Sequence, residues 1–408
     1  MMSCRFCAAA IHDVVVDLGS SPLSNSYIPK EKHMAMEPFF PLTVFFCPDC
    51  GLVQVDEFAP PQDIFSDYDY FSSYSETWLA HARDYATLMT SAFGLDADSQ
   101  VVEVASNDGY LLQYFVQRGI PALGVDPAAN VAAAARAKGV PTECMFFGRA
   151  AAEELKQRGY AADLALGNNV LAHVPDINDF VAGFAAILKP QGVMTVEFPH
   201  LLNMVRETQF DTIYHEHFSY LSLHTVQRIF KAHGLTIFDA QELPTHGGSL
   251  RVFAAPERAG RPAGQAVARL LDREQEAKLH SYEGYAAFAP AVKKIKIELL
   301  DFLIQAGRDG KSVAGYGAAA KGNTLLNYAG VRTDFIPFVA DKNPNKQGKY
   351  LPGSRIPVVD PEALLAARPD YVLILPWNIR DEVMQQLGII REWGGKFVTA
   401  IPAIRVWE

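Results

Sequence analysis

Hydrophobic and polar residues follow two kinds of repeat along this chain, and the pattern changes near residue 75. The stretch SETWLAHARDYATLMTSAF places apolar side chains at helical spacing and predicts an amphipathic helix. After it, short apolar runs such as QVVEV, IPALGV, DLALG and GVMTVEF alternate with helical stretches, and a long helical stretch spans roughly 262–306. Strands that alternate with helices favour a parallel, doubly wound sheet with ligands at the carboxyl ends of its strands.

The turn after the first of these strands, ASNDG, differs from a dinucleotide-binding turn. It has only Gly109, where a pyrophosphate site would have three glycines. Ser106, Asn107 and Asp108 offer a carboxylate and hydrogen-bonding groups instead, and Asp126 closes the next strand, where it can accept hydrogen bonds from both ribose hydroxyls. This combination suits S-adenosylmethionine better than a dinucleotide, although the turn could also serve only to cap the next helix.

A second strand–turn–helix pattern, KSVAGYGAAAKGNTLLNYAG, lies in the last third of the chain. Gly315, Gly317 and Ala320 match the dinucleotide-binding fingerprint, and Asp341 follows a later strand at a fitting separation. Three interpretations remain open. The loop could hold a nicotinamide cofactor, it could be a close packing turn with no ligand, or its amides and Lys321 could hold the diphosphate of a nucleotide sugar.

Four cysteines near the N-terminus form two CxxC pairs, Cys4 with Cys7 and Cys47 with Cys50. Two such turns can bring four thiolates together as a closed tetrahedral zinc site, which leaves no open position for catalysis. The alternatives are four unpaired core cysteines or a redox pair. Cys144 stands alone and is expected to be a small buried hydrophobic residue. We therefore predict a small N-terminal module whose folding depends on structural zinc.

Composition narrows the classes of function. A chain of 408 residues suggests two or three domains, and 49% hydrophobic with 20% charged residues is typical of a well-packed globular protein. The net charge of −10 and the lack of a basic, aromatic stripe argue against a nucleic-acid-binding zinc protein. No apolar run reaches the roughly 18 residues of a membrane helix, and the N-terminus does not resemble a signal peptide. We expect a cytoplasmic protein that binds neither nucleic acid nor membrane.

The stretch YHEHFSY places two histidines, a carboxylate and two phenols within seven residues. It could be a metal site, a proton-transfer site or a polar turn. The zinc motif HExxH would need a histidine where Ser219 stands, and His215 and His217 would share a face only on a strand. A metal site is therefore the less favoured interpretation, and proton transfer and a polar turn stay open.

Several strings together resemble a known family. They are CRFC and CPDCG, EVASNDGYLL, NNVLAHVPDINDFV, EFPH, YHEHFSYLS, THGGSLR, GYGAAAKGN and DKNPNKQGKYLPG, in this order. The whole chain looks like the nucleotide-sugar C-methyltransferases that make branched deoxysugars. One mild departure is Asp126, which stands where a glutamate is common. The resemblance implies an α/β protein with a small zinc-binding domain (1–70), a central Rossmann-like methyltransferase domain that binds S-adenosylmethionine (71–270) and a C-terminal Rossmann-like α/β domain closing the sugar cleft (271–408).

The resemblance also implies the substrate, a 4-keto-6-deoxy sugar on a nucleoside diphosphate, methylated at C3 beside the ketone. A base must remove the C3 proton, and donors must stabilise the enolate oxygen at C4. His217 is the first choice as base because imidazole titrates near neutral pH, with Glu216 to orient it. Tyr214 is the second choice and otherwise a donor to the enolate oxygen, and the likeness selects Tyr68 as a further tyrosine.

The predicted site residues form four groups. They are catalytic His217, Tyr214, Glu216 and Tyr68; cofactor-binding Glu103, Ser106, Asn107, Gly109, Asp126 and Asn168; substrate-binding His200, His246, Lys321 and Asn323; and zinc-binding Cys4, Cys7, Cys47 and Cys50. The alternative function is a nicotinamide-dependent nucleotide-sugar oxidoreductase that uses the C-terminal glycine loop. We expect a monomer or weak dimer; the sequence does not predict which nucleoside or sugar is used, nor the stereochemistry of methylation.

Overall fold

The computed structural model describes residues 2–58, 72–74 and 76–408. Short strands form the N-terminal part: β1 (Met2–Ser3), β2 (Ala10–Ile11), β3 (Asp13–Ser21), β4 (Phe40–Phe46) and β5 (Val53–Val55). In β4 the side chains of Leu42, Val44 and Phe46 are buried while their neighbours are at least partly accessible, which is the alternation of a strand with one face on a core. The predicted Tyr68 lies outside the described residues.

The central part alternates strands and helices as the sequence predicts. Its elements are α1 (Glu76–Phe93), β6 (Val101–Val104), α2 (Gln113–Val116), β7 (Ala122–Val125), α3 (Ala129–Ala137), β8 (Thr142–Glu143), α4 (Arg149–Gln157), β9 (Ala162–Asn168), α5 (Ile177–Ile187), β10 (Leu188–Pro199), α6 (Leu201–Arg206), β11 (Ser219–Tyr220), α7 (Leu223–Ala232), β12 (Leu235–Leu243) and β13 (Ser249–Pro256).

The central sheet has the strand order β12-β13-β10-β9-β6-β7-β8. The strands from β10 to β8 in this order are parallel, while β13 pairs antiparallel with both β10 and β12. All four residues of β6 are buried, as expected for a strand covered on both faces by helices. Two of the helices, α5 and α7, begin at side-chain caps: Asp176 accepts a hydrogen bond from the amide of Asp179, and Ser222 accepts one from the amide of Thr225.

The C-terminal part repeats the pattern on a smaller sheet. Its elements are α8 (Gln265–Glu276), α9 (Phe288–Arg308), β14 (Val313–Tyr316), α10 (Ala320–Ala329), β15 (Val339–Ala340), β16 (Val358–Val359), α11 (Pro361–Ala367), β17 (Tyr371–Ile374), α12 (Arg380–Gln386), β18 (Lys396–Thr399) and β19 (Arg405–Trp407). The strand order is β16-β15-β14-β17-β18-β19, and only β19 pairs antiparallel with its neighbour among these described strands.

The long helix predicted over roughly 262–306 is wrong, since the structure has two helices, α8 and α9, with a turn between them. Lys278 in this turn has a φ of 57°. Gly284 also packs so closely that a Cβ atom would lie 2.5 Å from the carbonyl oxygen of Lys278. The apolar spacing continues across the turn because both helices present one face to the core, and periodicity alone does not detect such a break.

The N-terminal sheet is completed by a strand from much later in the chain. Its order is β11-β5-β4-β3, and β11 pairs antiparallel with β5, with Ser219 opposite Gln54 and Tyr220 opposite Val53. The end of the YHEHFSY stretch is therefore a strand of the cysteine-bearing module. One buried apolar cluster extends from β3 and β4 through α9 to the sheet around β14, so this module shares its core with the C-terminal part.

None of the helices seen in the described residues combines the length and apolar character needed to cross a membrane.

Candidate active site

A cavity of about 640 Å³ opens where the three parts of the chain meet. Its walls come from the loop after β3, the turns after β6, β7 and β9, the segment before β11, and the loops at the start of α10 and after β17. The carboxyl ends of parallel strands from both sheets therefore face one space, which is where open α/β sheets bind ligands.

The turn after β6 is shaped by residues with positive φ. These are Ala105 (57°), Asn107 (49°) and Gly109 (75°). At Gly109 a Cβ atom would also lie 2.9 Å from Cγ2 of Val140, so both the backbone angle and the space require glycine. The result is a tight turn that brings the amide of Asn107 to the end of the neighbouring strand.

Asp126 stands at the centre of this end of the cavity. Its Oδ2 atom accepts a hydrogen bond of 2.9 Å from the amide of Asn107, and its Oδ1 atom accepts one of 2.9 Å from the amide of Ala128. Burial raises the pKa of this carboxyl group although both amides act in the opposite direction. Each carboxylate oxygen can accept a further hydrogen bond, so Asp126 is able to bind a pair of hydroxyl groups.

The neighbouring walls fit the rest of S-adenosylmethionine. Met145, Phe146 and Phe147 give an apolar wall suited to a flat base. Asn168 also lines the cavity, and neither its amide nitrogen nor its amide oxygen has a hydrogen-bond partner among the described residues, although both atoms are buried. A buried amide without a partner is costly unless a ligand or water satisfies it. This end of the cavity thus offers acceptors for a ribose diol, an apolar wall for a ring, and polar groups for a charged amino-acid end.

Three predicted cofactor-binding residues lie behind this wall instead of lining it. Glu103 is buried in β6, and burial together with the charges of Asp126 and Asp108 raises the pKa of its carboxyl group well above the ordinary value. Ser106 packs against Gly124, where a Cβ atom would lie 2.4 Å from the serine Oγ atom. Gly109 contributes its backbone angle, as described above. In the structure these residues shape the turn.

Tyr214 and His217 of the YHEHFSY stretch line the cavity side by side, with ring centroids 3.9 Å apart. The Nδ1 atom of His217 lies 2.7 Å from the carbonyl oxygen of Thr212. A carbonyl oxygen only accepts hydrogen bonds, so Nδ1 carries the proton and Nε2 keeps the lone pair. Burial, and then the charge of nearby His173, lowers the pKa of His217 well below its ordinary value.

His173 was not selected from the sequence, yet it also lines the cavity. Its ring lies 4.6 Å from that of His217 in an edge-to-face arrangement, and its Nδ1 atom lies 2.8 Å from the carbonyl oxygen of Glu216. Burial lowers the pKa of His173 to about 4. Two neutral imidazoles therefore stand together, each with Nδ1 on a backbone carbonyl. The only sequence signal for His173 was its place in the string NNVLAHVPDINDFV.

Glu216 has a different partner from the one predicted. Its Oε1 atom accepts hydrogen bonds from the backbone amide of Asn25 at 3.1 Å and from the side-chain amide of Asn25 at 3.3 Å. The expected orienting contact with His217 is replaced by the Thr212 carbonyl. The expectation was wrong because adjacent residues in this turn point in different directions. Glu216 instead fixes the loop after β3 against the cavity, so Asn25 is a second residue that sequence reasoning missed.

His215 points away from the cavity toward the N-terminal sheet. Its Nε2 atom lies 3.1 Å from the carbonyl oxygen of Pro41, and the rings of Phe40 and Phe58 pack edge-on against it. The structure thus gives His215 and His217 different surroundings.

The other two predicted histidines have different surroundings. His246 lines the cavity and packs edge-on against Trp78, and burial, followed by the charge of Lys321, lowers its pKa to about 4. His200 does not line the cavity. It is buried, and its Nε2 atom lies 2.7 Å from a carboxylate oxygen of Glu274. His200 therefore has the contacts of a structural residue, because its partner also caps α7 by accepting from the amide of Leu223.

The glycine loop before α10 forms the opposite wall. Lys321 lines the cavity, donates to Oδ1 of Asn378 at 3.0 Å and lies 4.7 Å from the ring centre of Trp377. Burial lowers the pKa of Lys321 to about 8. The predicted Asn323 lies outside the lining, because it is buried and donates to the carbonyl oxygen of Ser24. This wall therefore offers one cationic side chain at the start of a helix.

Asp341, the acidic residue of the dinucleotide fingerprint, is engaged by its own loop. Its Oδ2 atom accepts from the amide of Ala318 at 2.6 Å, and its Oδ1 atom accepts from the amide of Asn343 at 2.7 Å. At Gly317 a Cβ atom would lie 2.4 Å from Cδ of Pro376. Packing against Pro376 thus fills the space that a nicotinamide cofactor would need at this loop, and Asp341 is not among the residues that line the cavity.

The four N-terminal cysteines come together as one cluster whose sulfur atoms lie within 4.8 Å of one another. The Sγ atoms of Cys4 and Cys50 are 3.5 Å apart, and those of Cys7 and Cys47 are 3.6 Å apart. Tetrahedral zinc with bonds of about 2.3 Å to sulfur would place such atoms roughly 3.8 Å apart. The cysteines are therefore positioned to bind a metal, and four thiolates suit a closed structural zinc site. Cys144, expected to be buried, is exposed.

Three family models match consecutive parts of the chain. A zinc binding domain matches residues 4–65, a methyltransferase domain matches 78–240, and a C-methyltransferase C-terminal domain matches 244–402. The first match contains the cysteine cluster, the second contains the turn around Asp126, and the third contains the glycine loop.

Individual proteins match the chain over different lengths. The chain is 38% identical over 403 residues to the C-methyltransferase NovU of Streptomyces niveus, covering 99% of this chain and 96% of the relative. It is 26% identical over 210 residues to the ubiquinone biosynthesis O-methyltransferase of Rhizobium etli, covering 48% of this chain and 71% of the relative. A solved N1-methyltransferase from Burkholderia thailandensis is 19% identical, covers 50% of this chain and 94% of that protein, and gives a TM-score of 0.36.

Proposed function

Because the chain belongs to the C-methyltransferase family, as its similarity to NovU over nearly its full length shows, we propose that it methylates a nucleotide-linked sugar. The proposed acceptor carbon is C3 of a 4-keto-6-deoxy sugar carried on a nucleoside diphosphate. The family membership confirms the predicted enzyme class, an S-adenosylmethionine-dependent C-methyltransferase, and the predicted α/β fold with a zinc-binding N-terminal module. The sugar, the position of methylation and the mechanism are proposals.

The observation that carries the proposed mechanism is the fixed tautomer of His217. Its Nδ1 atom is held by the Thr212 carbonyl, so the Nε2 lone pair is available at the cavity wall. A ketone at C4 acidifies the C3–H bond. In the proposed first step this bond breaks, the proton moves to Nε2 of His217, and the electron pair forms an enolate with its charge on the C4 oxygen.

Tyr214 is the proposed donor to that oxygen. Its ring lies against His217 on the same wall of the cavity, so a hydroxyl donor and the proton acceptor can address adjacent atoms of one substrate. S-adenosylmethionine supplies an electrophilic methyl group: the C3–CH₃ bond forms as the sulfonium–CH₃ bond breaks, and S-adenosylhomocysteine leaves. The enzyme's remaining task is to keep C3 and the methyl group in line.

The low pKa of His217 changes how the base must work. A neutral imidazole has the required lone pair at neutral pH, but a low pKa makes it a weak base. A diphosphate and a forming enolate would bring negative charge into the cavity, and negative charge nearby favours the imidazolium form. We infer that the bound substrate raises the basicity of His217, and that proton transfer occurs only in its presence.

The diphosphate fits the wall formed by the glycine loop. α10 begins at Ala320 with its amide groups at the cavity, and Lys321 adds a positive charge there. Helix N-termini and lysine side chains both favour phosphate groups. We propose that this wall holds the nucleotide part of the substrate, with the sugar directed toward His217 and Tyr214. We also propose that the protein acts in the cytoplasm as a monomer or weak dimer, where its cysteines remain reduced.

The substitution His217→Ala tests the proposed base. We expect methyl transfer to a panel of thymidine and guanosine diphosphate 4-keto-6-deoxy sugars, followed with labelled S-adenosylmethionine, to fall by at least about 100-fold. Affinity for S-adenosylmethionine should stay within about threefold, because the residues proposed to bind it are those around Asp126 and do not include His217. Turnover similar to wild type would remove His217 from this role, and Tyr214→Phe then tests the second choice.

Exchange of the C3 hydrogen with solvent deuterium, measured without methyl donor, isolates the proton-abstraction step. Exchange that is present in wild type and absent in His217→Ala would support the enolate mechanism. Methyl transfer by wild type to none of the sugars in the panel would contradict the proposed substrate.

A further inference from the structure

Arg5 lies inside the first cysteine pair, between Cys4 and Cys7, and its side chain connects this pair to the cavity segments. One guanidinium nitrogen, Nη2, donates to the carbonyl oxygen of Val55 at 2.5 Å, and the other, Nη1, donates to the carbonyl oxygen of Pro175 at 2.9 Å. A guanidinium group that binds two carbonyl oxygens from different segments fixes the distance between them, because its donors are held in one plane.

The Pro175 carbonyl belongs to the segment that carries His173, and the Val55 carbonyl belongs to a strand that is hydrogen-bonded to the segment that carries His217. Val55 ends β5, and its amide donates to the carbonyl oxygen of Phe218, the residue next to His217. Pro175 lies two residues after His173. The Arg5 Cζ atom also lies 5.3 Å from the ring centre of Phe218, a cation–π distance. Arg5 thus contacts both of the segments that place the paired imidazoles.

The backbone around Arg5 strengthens this connection. Its amide donates to Oε1 of Gln54 at 3.0 Å, and Nε2 of the same glutamine donates to Sγ of Cys4 at 3.2 Å. Gln54 is itself paired with Ser219 in the sheet. On the other side, the Asn178 amide donates to the carbonyl oxygen of Phe6 at 2.9 Å. The first cysteine turn is therefore bonded to β5, which pairs with the strand that follows His217, and to the segment that follows His173.

We propose that Arg5 is a positioning residue for methyl transfer: it sets the spacing of His173 and His217 from within the zinc-binding module. The zinc module would then contribute to catalysis through geometry, without any contact between zinc and the substrate. This inference rests on the proposed role of His217. Its physical basis is that the imidazole rings lie only 4.6 Å apart, so a small shift of either segment changes their relation. A misplacement of about 1 Å can reduce a rate about 100-fold.

The substitution Arg5→Met tests this proposal, because methionine keeps an unbranched apolar side chain and removes the forked donors. We expect kcat for methyl transfer to fall at least about tenfold, with zinc content and affinity for S-adenosylmethionine unchanged. Side-chain NMR signals of His173 and His217, assigned in protein with labelled histidine, should shift. Arg5→Lys keeps the charge but loses the fork, and it should recover part of the rate. Arg83→Met, on the exposed surface of α1, is the matched control and should resemble wild type.

Loss of zinc from Arg5→Met, or an unchanged kcat with unshifted histidine signals, would overturn the proposal. If Arg5→Met does not fold, Phe218→Leu removes the ring beneath the guanidinium group and should give the same pattern in weaker form. Unshifted histidine signals in that variant would also count against the proposal. If wild type methylates no sugar in the panel, the proposed function fails, but the histidine signals still test whether Arg5 positions the two rings.

Discussion

Two strand–turn–helix units face the same cavity, and they differ in what their acidic residue does. In the central sheet, Asp126 lines the cavity and holds two turn amides with acceptor capacity to spare. In the C-terminal sheet, Asp341 likewise accepts from two amides, those of Ala318 and Asn343, but it does not line the cavity, and Gly317 is packed against Pro376. The unit with the poorer glycine pattern is thus the one open to a nucleoside.

The difference shows what a glycine fingerprint reports. Its spacing describes a tight turn between a strand and a helix, and such a turn serves close packing as well as pyrophosphate binding. Whether a nucleotide binds depends on the space and the polar atoms that remain after packing. We therefore propose that S-adenosylmethionine binds at the turn around Asp126 and that the phosphates of the substrate bind at the start of α10.

The largest expected effect comes from removing the carboxylate of Asp126, and the same change at Asp341 is the comparison. Asp126→Ala should weaken binding of S-adenosylmethionine by more than about 100-fold, since the proposed site loses two hydrogen bonds from ribose to a charged group, each worth about 1.5–3 kcal/mol. Asp341→Ala removes an equal number of loop hydrogen bonds and should change this affinity less than about threefold. Isothermal titration calorimetry measures both dissociation constants.

The same pair of variants can contradict this assignment of the two loops. Binding of NAD(P)H to wild type that disappears in Asp341→Ala would restore the nicotinamide interpretation of the glycine loop. Asp126→Asn keeps the size of the side chain but replaces one acceptor oxygen by a donor, so an equal loss of affinity in that variant would assign the effect to the charge and the paired acceptors of the carboxylate.

A smaller effect is expected from Lys321, the cation on the other wall. Lys321→Met should raise the KM for the nucleotide sugar about tenfold with little change in S-adenosylmethionine affinity, because a charged contact to phosphate is lost. The matched control is Lys342→Met, which alters an exposed lysine of the following polar loop. An equal rise of KM in the control would assign the effect to general surface charge.

The pH dependence of KM sharpens this prediction. Burial lowers the pKa of Lys321 to about 8, so the side chain is charged below that pH and neutral above it. Affinity for an anionic substrate should therefore fall as pH rises through about 8 in wild type but not in Lys321→Met. Between about 8 and the ordinary value of 10.5, the folded chain binds fewer protons here than the unfolded chain, so the free energy of unfolding should rise with pH in that window.

The smallest expected effect concerns packing of the glycine loop. Gly317, in the loop before α10, has a φ of 84°, and Gly330, just after the end of α10, has a φ of 77°. A Cβ atom at Gly330 meets nothing within 4 Å, whereas one at Gly317 meets Pro376. Gly330→Ala should lower the free energy of unfolding by about 1 kcal/mol, and Gly317→Ala by about 1 kcal/mol more. Urea denaturation of both variants measures the difference; equal losses would show that the loop is not closely packed.

Much of the fold could be predicted from local patterns. The cysteine pairs, the apolar strands and the turn around Asp126 each lie within a few residues, and short-range chemistry determines them. The same holds for placing Tyr214 and His217 in one site, because they are neighbours in sequence.

The remaining features depend on contacts between distant residues. Glu216 binds Asn25, which lies 191 residues away, and nothing in YHEHFSY indicates that partner. His173 stands between apolar residues in a short turn, and only its packing against His217 makes it part of the site. His200 resembled a site residue because it lies at the end of a strand. Its Nε2 atom is instead paired with Glu274 of a later helix. Tertiary packing decides such cases, and one sequence does not contain that information locally.

The pairing of β5 with β11 has a consequence for how this protein is made. Residues 56–218 separate the two strands, so the ribosome completes the cysteine module's own segment long before β11 emerges. During that interval one edge of β5 has no neighbouring strand, and open strand edges invite association between chains. Expression of the first 58 residues alone would leave that edge permanently open, and attempts to transplant the module into another protein should carry a strand to cover it.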